Sequence, residues 1–417
     1  MITELGIGTR TQSVEIPDQN LQEILLPNQV EIGLRGEAEV RRALEEPIGT
    51  PLLRSMAKPG QKIVIITSDV TRPCPSYIML PPLLEELEAA GVKDVDITIV
   101  IALGSHRKQT EEEKKKLVGE AVYDRIAVVD SNAEGYVHMG ETAIGTPIDI
   151  STPVAEADFK ICLGNIEYHY FAGYSGGAKA IMPGVSTRAA IQSNHSMMVR
   201  DEACAGRIAG NPIREDIEAA AAIVGVNFIL NVVLDEHKKI VKAVAGEVTK
   251  AHREGVKFLD SLYQKKIAKE ADIVIASQGG APKDLNLYQT QKALNNAKAA
   301  VRQGGVIILV GSCKEGLGEG CFEEWMLKAE EPEDLIRWIR QEFKLGGHKA
   351  AAIALTMQKA DIYLVSDMEP DFVRSIFMTP FATVQDAFDA AMEKMGIEAS
   401  VIVMPYGGST LPVTETA

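Results

Sequence analysis

Short apolar runs rich in Val and Ile recur along the chain: KIVIITSD (62–69), DITIVIALGSH (96–106), FILNVVLD (228–235), DIVIASQGG (272–280), GGVIILVGS (304–312), DIYLVSD (361–367) and SVIVMPYGG (400–408). None alternates cleanly between apolar and polar, which is the pattern of strands buried on both faces. Helical patterns lie between them. YIMLPPLLEELEAAGV (77–92) meets a Gly stop signal, and NPIREDIEAAAAIVG (211–225) has Pro in its first turn and Gly at its end. TEEEKKKLVGE (110–120) reads as a solvated helix face carrying i,i+4 charge pairs. This alternation predicts an α/β chain whose mainly parallel sheets are flanked by helices. The segment 247–272 reads as one long or two short helices before a new strand, which puts a domain boundary near residue 265. The expectation is a larger N-terminal domain, 1–265, and a smaller C-terminal one, 266–417. The closing TLPVTETA reads as a loosely packed tail.

Composition narrows the function classes. The 417 residues suffice for two or three domains, and 46% hydrophobic with 24% charged residues is ordinary for a globular protein. A formal charge of −15 argues against a nucleic-acid-binding surface, although a local Arg or Lys pocket can still receive a small anion. No basic n-region followed by an apolar h-region opens the chain, and the longest apolar runs are too short to span a bilayer. The five cysteines, Cys74, Cys162, Cys204, Cys313 and Cys321, form no C-x-x-C pair. Reduced thiols in a cytoplasmic protein without membrane partners are expected.

Several strands run into polar residues. KIVIIT leads to Asp69 and Arg72, ITIVIALG to His106, and DFKICLG to His169. Rossmann-like sheets bind ligands beyond the carboxyl ends of their strands, so one crevice can collect all four. The densest stretch is GNIEYHYFAGYSGGAKAIMPGVSTRAAIQSNH (164–195), where Gly173, Gly176, Gly177 and Gly184 surround Lys179. Such a setting allows close approach of a bulky ligand, and desolvation there favours the neutral, nucleophilic amine. The plainer reading is a lysine snorkelling from a helix start. GGAK lacks Walker A spacing and no G-x-G-x-x-G follows an early strand. His195 has no multi-ligand motif around it, and a lone histidine is more often a hydrogen-bonded core residue. A metal held by it would need most of its ligands from a cofactor. In DLNLYQTQKAL (284–294), Gln289 and Lys292 fall on one side of a helix start, where they can hold a carboxylate or simply face solvent.

SDVTRP (68–73), LGSHR (103–107), EYHYFAGYSGGAKAIMPGV (167–185), SNH (193–195) and PKDLNLYQTQKAL (282–294) together resemble the nickel-dependent lactate racemase family. The resemblance implies a racemase or epimerase of a 2-hydroxyacid, with its site in the cleft between two domains. It implies a nickel-pincer nucleotide carrying Ni(II), tethered through Lys179, contacted by Tyr288 and ligated by His195. It further implies His106 and His169 as the acid/base pair with Asp69 beside them, and Arg72, Gln289 and Lys292 as substrate anchors. Partners would be the small hydroxyacid and the enzymes that make the cofactor. The reaction implied is reversible hydride transfer through a 2-oxoacid, which avoids a carbanion next to a carboxylate. Other readings remain open: an epimerase of a longer hydroxyacid, a Schiff-base lyase using Lys179, or a non-catalytic carrier of the nickel cofactor.

Overall fold

The computed structural model describes residues 1–235 and 237–414. The chain forms two compact units, one of Val30–Ser261 and one that joins Met1–Gln29 to Leu262 onward.

In the first unit, six strands lie in the order Ile240–Gly246, Phe228–Leu234, Phe159–Asn165, Ile63–Ser68, Ile97–Ala102 and Ala127–Asp130. Only the first two pair antiparallel. Phe228–Leu234 is buried at every position and Ile63–Ser68 at all but its last, which accounts for the missing polar alternation. Helix ends follow local chemistry. The Asn211 side chain accepts from the amides of Ile213 and Arg214 at 3.1 and 3.2 Å, Pro212 opens the helix Pro212–Val224, and Gly225 closes it in the left-handed conformation. Thr110 and Glu113 form a capping box at the start of Glu111–Val118, whose only buried residues are Leu117 and Val118. Ile63–Ser68 pairs with Ile97–Ala102 on one side and with the later Phe159–Asn165 on the other. The sheet order therefore reverses between Ile63–Ser68 and Phe159–Asn165, and at such a reversal the loops diverge and leave a crevice.

The second unit has a parallel sheet in the order Thr379–Phe381, Ala360–Val365, Val301–Val310, Ala271–Ser277, Val401–Met404 and Leu21–Ile24. The expected boundary near 265 lies close to the return into this unit at Leu262, but residues 1–29 belong here and not with the N-terminal unit. The reason is apolar burial. Leu5, Ile7 and Val14 of the hairpin Ile2–Ile7/Arg10–Glu15, with Ile16 just after it, are fully buried in one core with Ile273, Ile275, Val306 and Ile308. Two further expectations are corrected. The helix within 247–272 ends at Tyr263, and Gln264–Ile267 is a strand. Its parallel partner is Leu411–Thr414, so the C-terminal stretch is paired backbone with Leu411 buried, up to the last described residue. Tertiary pairing overrides weak local propensity in QKKI. Among the described residues no helix is long and apolar enough to cross a membrane, and all five cysteines are free.

Candidate active site

Asp69 directly follows the Ile63–Ser68 strand and is almost fully buried. Its Oδ2 lies 2.5 Å from His106 Nδ1, and its Oδ1 accepts from the Thr71 hydroxyl at 2.6 Å and the Thr71 amide at 3.0 Å. Burial alone would push this carboxyl up, but the bonds from His106 and Thr71 outweigh it and hold Asp69 below the usual carboxylate range. An ionised carboxylate can only accept, so Nδ1 of His106 carries the proton and the ring's lone pair is on Nε2. The loop that carries His106 is tied to the segment after Lys179, because the Gly104 amide donates to Gly184 O at 2.9 Å.

His169 stands in a two-residue hairpin, paired with Gly173. The adjacent Phe171 is buried and gathers three of the expected groups. Its ring lies 4.5 Å from that of His169 and 4.9 Å from that of His195, both edge-on, and the Lys179 ammonium is 5.9 Å from its centre. The Ala172 amide donates to His169 Nδ1 at 3.3 Å, so a neutral His169 carries its proton on Nε2. Burial, followed by the nearby positive charges of Lys179 and Arg72, pushes His169 well below the ordinary histidine range.

Lys179 occupies a 3-10 turn, Gly177–Ala180. Burial, reinforced by the cations Arg72 and Arg214, depresses it well below an ordinary lysine, with Glu167 opposing. The amine is thereby made a better nucleophile at neutral pH. The glycines around it serve the protein's own packing. A Cβ on Gly176 would stand 2.7 Å from Asn231 Oδ1, and one on Gly177 2.9 Å from the His252 ring, both at positive φ. His252 is buried, bonded to Ser175 O at 2.8 Å, and held well below its ordinary range by burial. Arg214 is fully buried, and its guanidinium donates to Ala172 O at 3.2 Å and to Tyr174 O. It thus pins the backbone between His169 and Lys179. Sequence reasoning missed Phe171, Arg214 and His252. A visible sign for Arg214 was a charge on the apolar stripe of Ile213, Ile217, Ala220 and Ala221.

His195 is the last residue of the helix Arg188–His195 and is buried, with Nδ1 2.8 Å from Asn194 Oδ1. Among the described residues no group of three or more His, Cys, Asp or Glu is arranged to hold a metal. A metal at His195 would therefore draw its remaining ligands from a cofactor, and a half-buried amine with depressed basicity beside the same phenylalanine suits covalent attachment of one. Arg72 is exposed, near enough to Lys179 and His169 to act on both charges.

Tyr288, Gln289 and Lys292 belong to the second unit, in the first two turns of Leu287–Ala297. Asn286 caps that helix by accepting from the Gln289 amide at 3.1 Å, and Gln278 donates to Gln289 O at 2.8 Å. Lys349 Nζ donates to Tyr288 O at 2.5 Å. Gln289 is half-buried and Lys292 exposed, whereas Thr290 and Gln291 between them are buried, so the expected pair does share the outer side of the helix.

Comparison with known proteins reaches both units. The model of the lactate racemase N-terminal domain matches residues 7–206, and that of the lactate racemase C-terminal domain matches 266–411. The chain is 36% identical to the lactate racemase of Thermoanaerobacterium thermosaccharolyticum over 420 residues, covering 98% of each, and 33% identical to that of Lactiplantibacillus plantarum, covering 97% of this chain and 98% of the relative. It superposes on the T. thermosaccharolyticum lactate racemase apoprotein with a TM-score of 0.88 at 36% identity, over 99% of this chain and all of that one. A Thermotoga maritima protein, 18% identical over 92% of this chain and all of its own, shares the fold at a TM-score of 0.64.

Proposed function

The chain belongs to the lactate racemase family and is an isomerase, and we propose that it interconverts the enantiomers of lactate or a closely related 2-hydroxyacid on a nickel-pincer nucleotide tethered to Lys179. The observation that carries this reading is the convergence of Lys179, His169 and His195 on Phe171. Lys179 would hold the cofactor covalently and His195 would ligate Ni(II), with the pincer's sulfurs and ring carbon completing a roughly square-planar set. When bound, the cofactor supplies a hydride acceptor, which spares the substrate a carbanion.

The chain's own residues handle the proton and the carboxylate. Nε2 of His106 takes the substrate hydroxyl proton as the Cα–H bond breaks, and the buried Asp69 carboxylate stabilises the imidazolium that results. His169 is assigned to the oxygen of the opposite enantiomer. At rest it presents an N–H there, so service as a base requires the ring to release the Ala172 amide and carry its proton on Nδ1 instead. Arg72 anchors the carboxylate while the 2-oxoacid turns its other face.

The test is production of the chain together with the cofactor-making enzymes, followed by intact mass, nickel content and chiral assay of lactate and longer 2-hydroxyacids. A covalent adduct lost in Lys179→Ala, stoichiometric nickel and racemisation with retention of the Cα hydrogen in D₂O are expected. Entry of solvent deuterium at Cα within one turnover refutes the hydride route. Turnover without nickel refutes the cofactor, and borohydride trapping of a substrate carbonyl on Lys179 replaces it with a lyase.

A further inference from the structure

Behind His195 lies a buried row of hydrogen bonds that the acid/base chemistry does not use. Asn194 Oδ1 faces His195 Nδ1 at 2.8 Å. Asn194 Nδ2 donates to Asp216 Oδ2 at 2.8 Å and to Ile213 O at 3.3 Å. Asp216 Oδ1 accepts from the Thr142 hydroxyl at 2.5 Å, and that hydroxyl accepts from the Thr146 amide at 3.2 Å. His195, Asn194, Asp216 and Thr142 are all buried, Asn194 completely. The Arg188–His195 and Pro212–Val224 helices and the loop of the hairpin Tyr136–Glu141/Pro147–Ser151 thus meet through buried polar side chains.

We infer that Asp216 and Asn194 form a relay that sets the tautomer of His195, making them positioning residues for a metal ligand, with Thr142 steadying Asp216 from behind. Each direction in the row is forced. An ionised carboxylate and a backbone carbonyl can only accept, so the Asn194 amide must turn its NH₂ toward Asp216 and Ile213 and its oxygen toward His195. An amide oxygen cannot donate. His195 must therefore carry its proton on Nδ1, and the lone pair of the neutral ring resides on Nε2. A metal-binding histidine needs this arrangement, with one nitrogen donating to a fixed oxygen and the other presenting its lone pair. A carboxylate acting through an amide does here what a carboxylate in direct contact does in many metal sites. Direct contact would place a negative charge beside the metal, whereas the amide passes on orientation without that charge.

The tautomer part stands on this chain alone, and the metal part rests on the proposed function. Both are tested on the full-length chain. In ¹⁵N-labelled cofactor-free protein above pH 7.5, the long-range ¹H–¹⁵N spectrum of His195 should show a single Nδ1–H form, assigned by its loss in His195→Gln. In Asp216→Asn, the carboxylate that orders Asn194 is lost and Ile213 O alone holds its NH₂ side, so the Nδ1–H form of His195 loses population to the Nε2–H form. After production with the cofactor-making enzymes, this variant should retain nickel about 10–100-fold more weakly, the usual effect of losing such a support. Thr142→Val keeps the carboxylate, so His195 must stay Nδ1–H there, which separates the relay from a general packing defect. An Nε2–H form in the wild type overturns the inference whatever the nickel content, and decides the matter even where Asp216→Asn fails to fold. So does an Asp216→Asn protein that keeps both the Nδ1–H form and full nickel affinity. Wild type with the Nδ1–H form but no nickel refutes the proposed cofactor instead.

Discussion

Asp69→Asn separates charge from shape at the His106 base. The substitution keeps the volume, and its Oδ1 can still accept both donors of Thr71, the hydroxyl at 2.6 Å and the amide at 3.0 Å. That orientation forces the new NH₂ toward His106 Nδ1, where Asp69 Oδ2 had stood at 2.5 Å. Two losses follow. The imidazolium formed during proton abstraction forfeits a charge-assisted hydrogen bond of about 1.5–3 kcal/mol, or about 10–150-fold in rate. In addition, His106 Nδ1 must now accept, which puts the proton on Nε2 and removes the base itself, a contribution on the order of 10²–10⁴-fold. A fall in kcat of about 10²–10⁴-fold is expected, with nickel content and the Lys179 adduct unchanged, since the structure gives Asp69 no bond to Lys179 or His195. The assay is single-turnover conversion of each lactate enantiomer by loaded enzyme, alongside the ¹⁵N spectrum of His106. A variant within about threefold of wild type, with His106 still in the Nδ1–H form, would refute the reasoning.

Other outcomes follow from the same geometry. Phe171→Ala should cost about 3–5 kcal/mol of stability, read by thermal or denaturant unfolding, and should loosen His169, Lys179 and His195 together; a loss below about 1 kcal/mol contradicts its central packing role. Lys179→Met should raise the Tm of the cofactor-free protein at neutral pH, because the fold no longer disfavours a protonated amine; a lowered Tm contradicts the buried-amine reading. His252 is held neutral, its pKa well below the ordinary 6.5, so the unfolded chain binds the extra proton first and stability falls as pH drops through that ordinary value. His252→Gln should flatten the decline in Tm between about pH 7 and pH 5, and an undiminished slope assigns the decline to other groups.

The amino-acid pattern determined the α/β class, most strand positions and the identity of the chemical groups, because these depend on local information. Runs of β-branched residues without polar alternation belong to strands covered on both faces, and Asn211, Pro212 and Gly225 mark helix ends by their own backbone preferences. Asp69, His106 and His169 were legible as polar residues where apolar runs stop. Tertiary structure alone decided the rest. The first 29 residues carry nothing in their own sequence that says which sheet they join, since apolar burial is non-directional and depends on what lies opposite. QKKI became a strand because Leu411–Thr414 arrived beside it from about 150 residues away in the chain. Within the candidate site, an apolar residue in YHYFAGY became the meeting point of three chemical groups, and a helical arginine became the buried pin of their backbone. Asp216, 21 residues beyond His195, gained a relation to it only through Asn194. Hydrogen-bond direction and side-chain proximity are properties of positions in space, and no spacing along the chain encodes them.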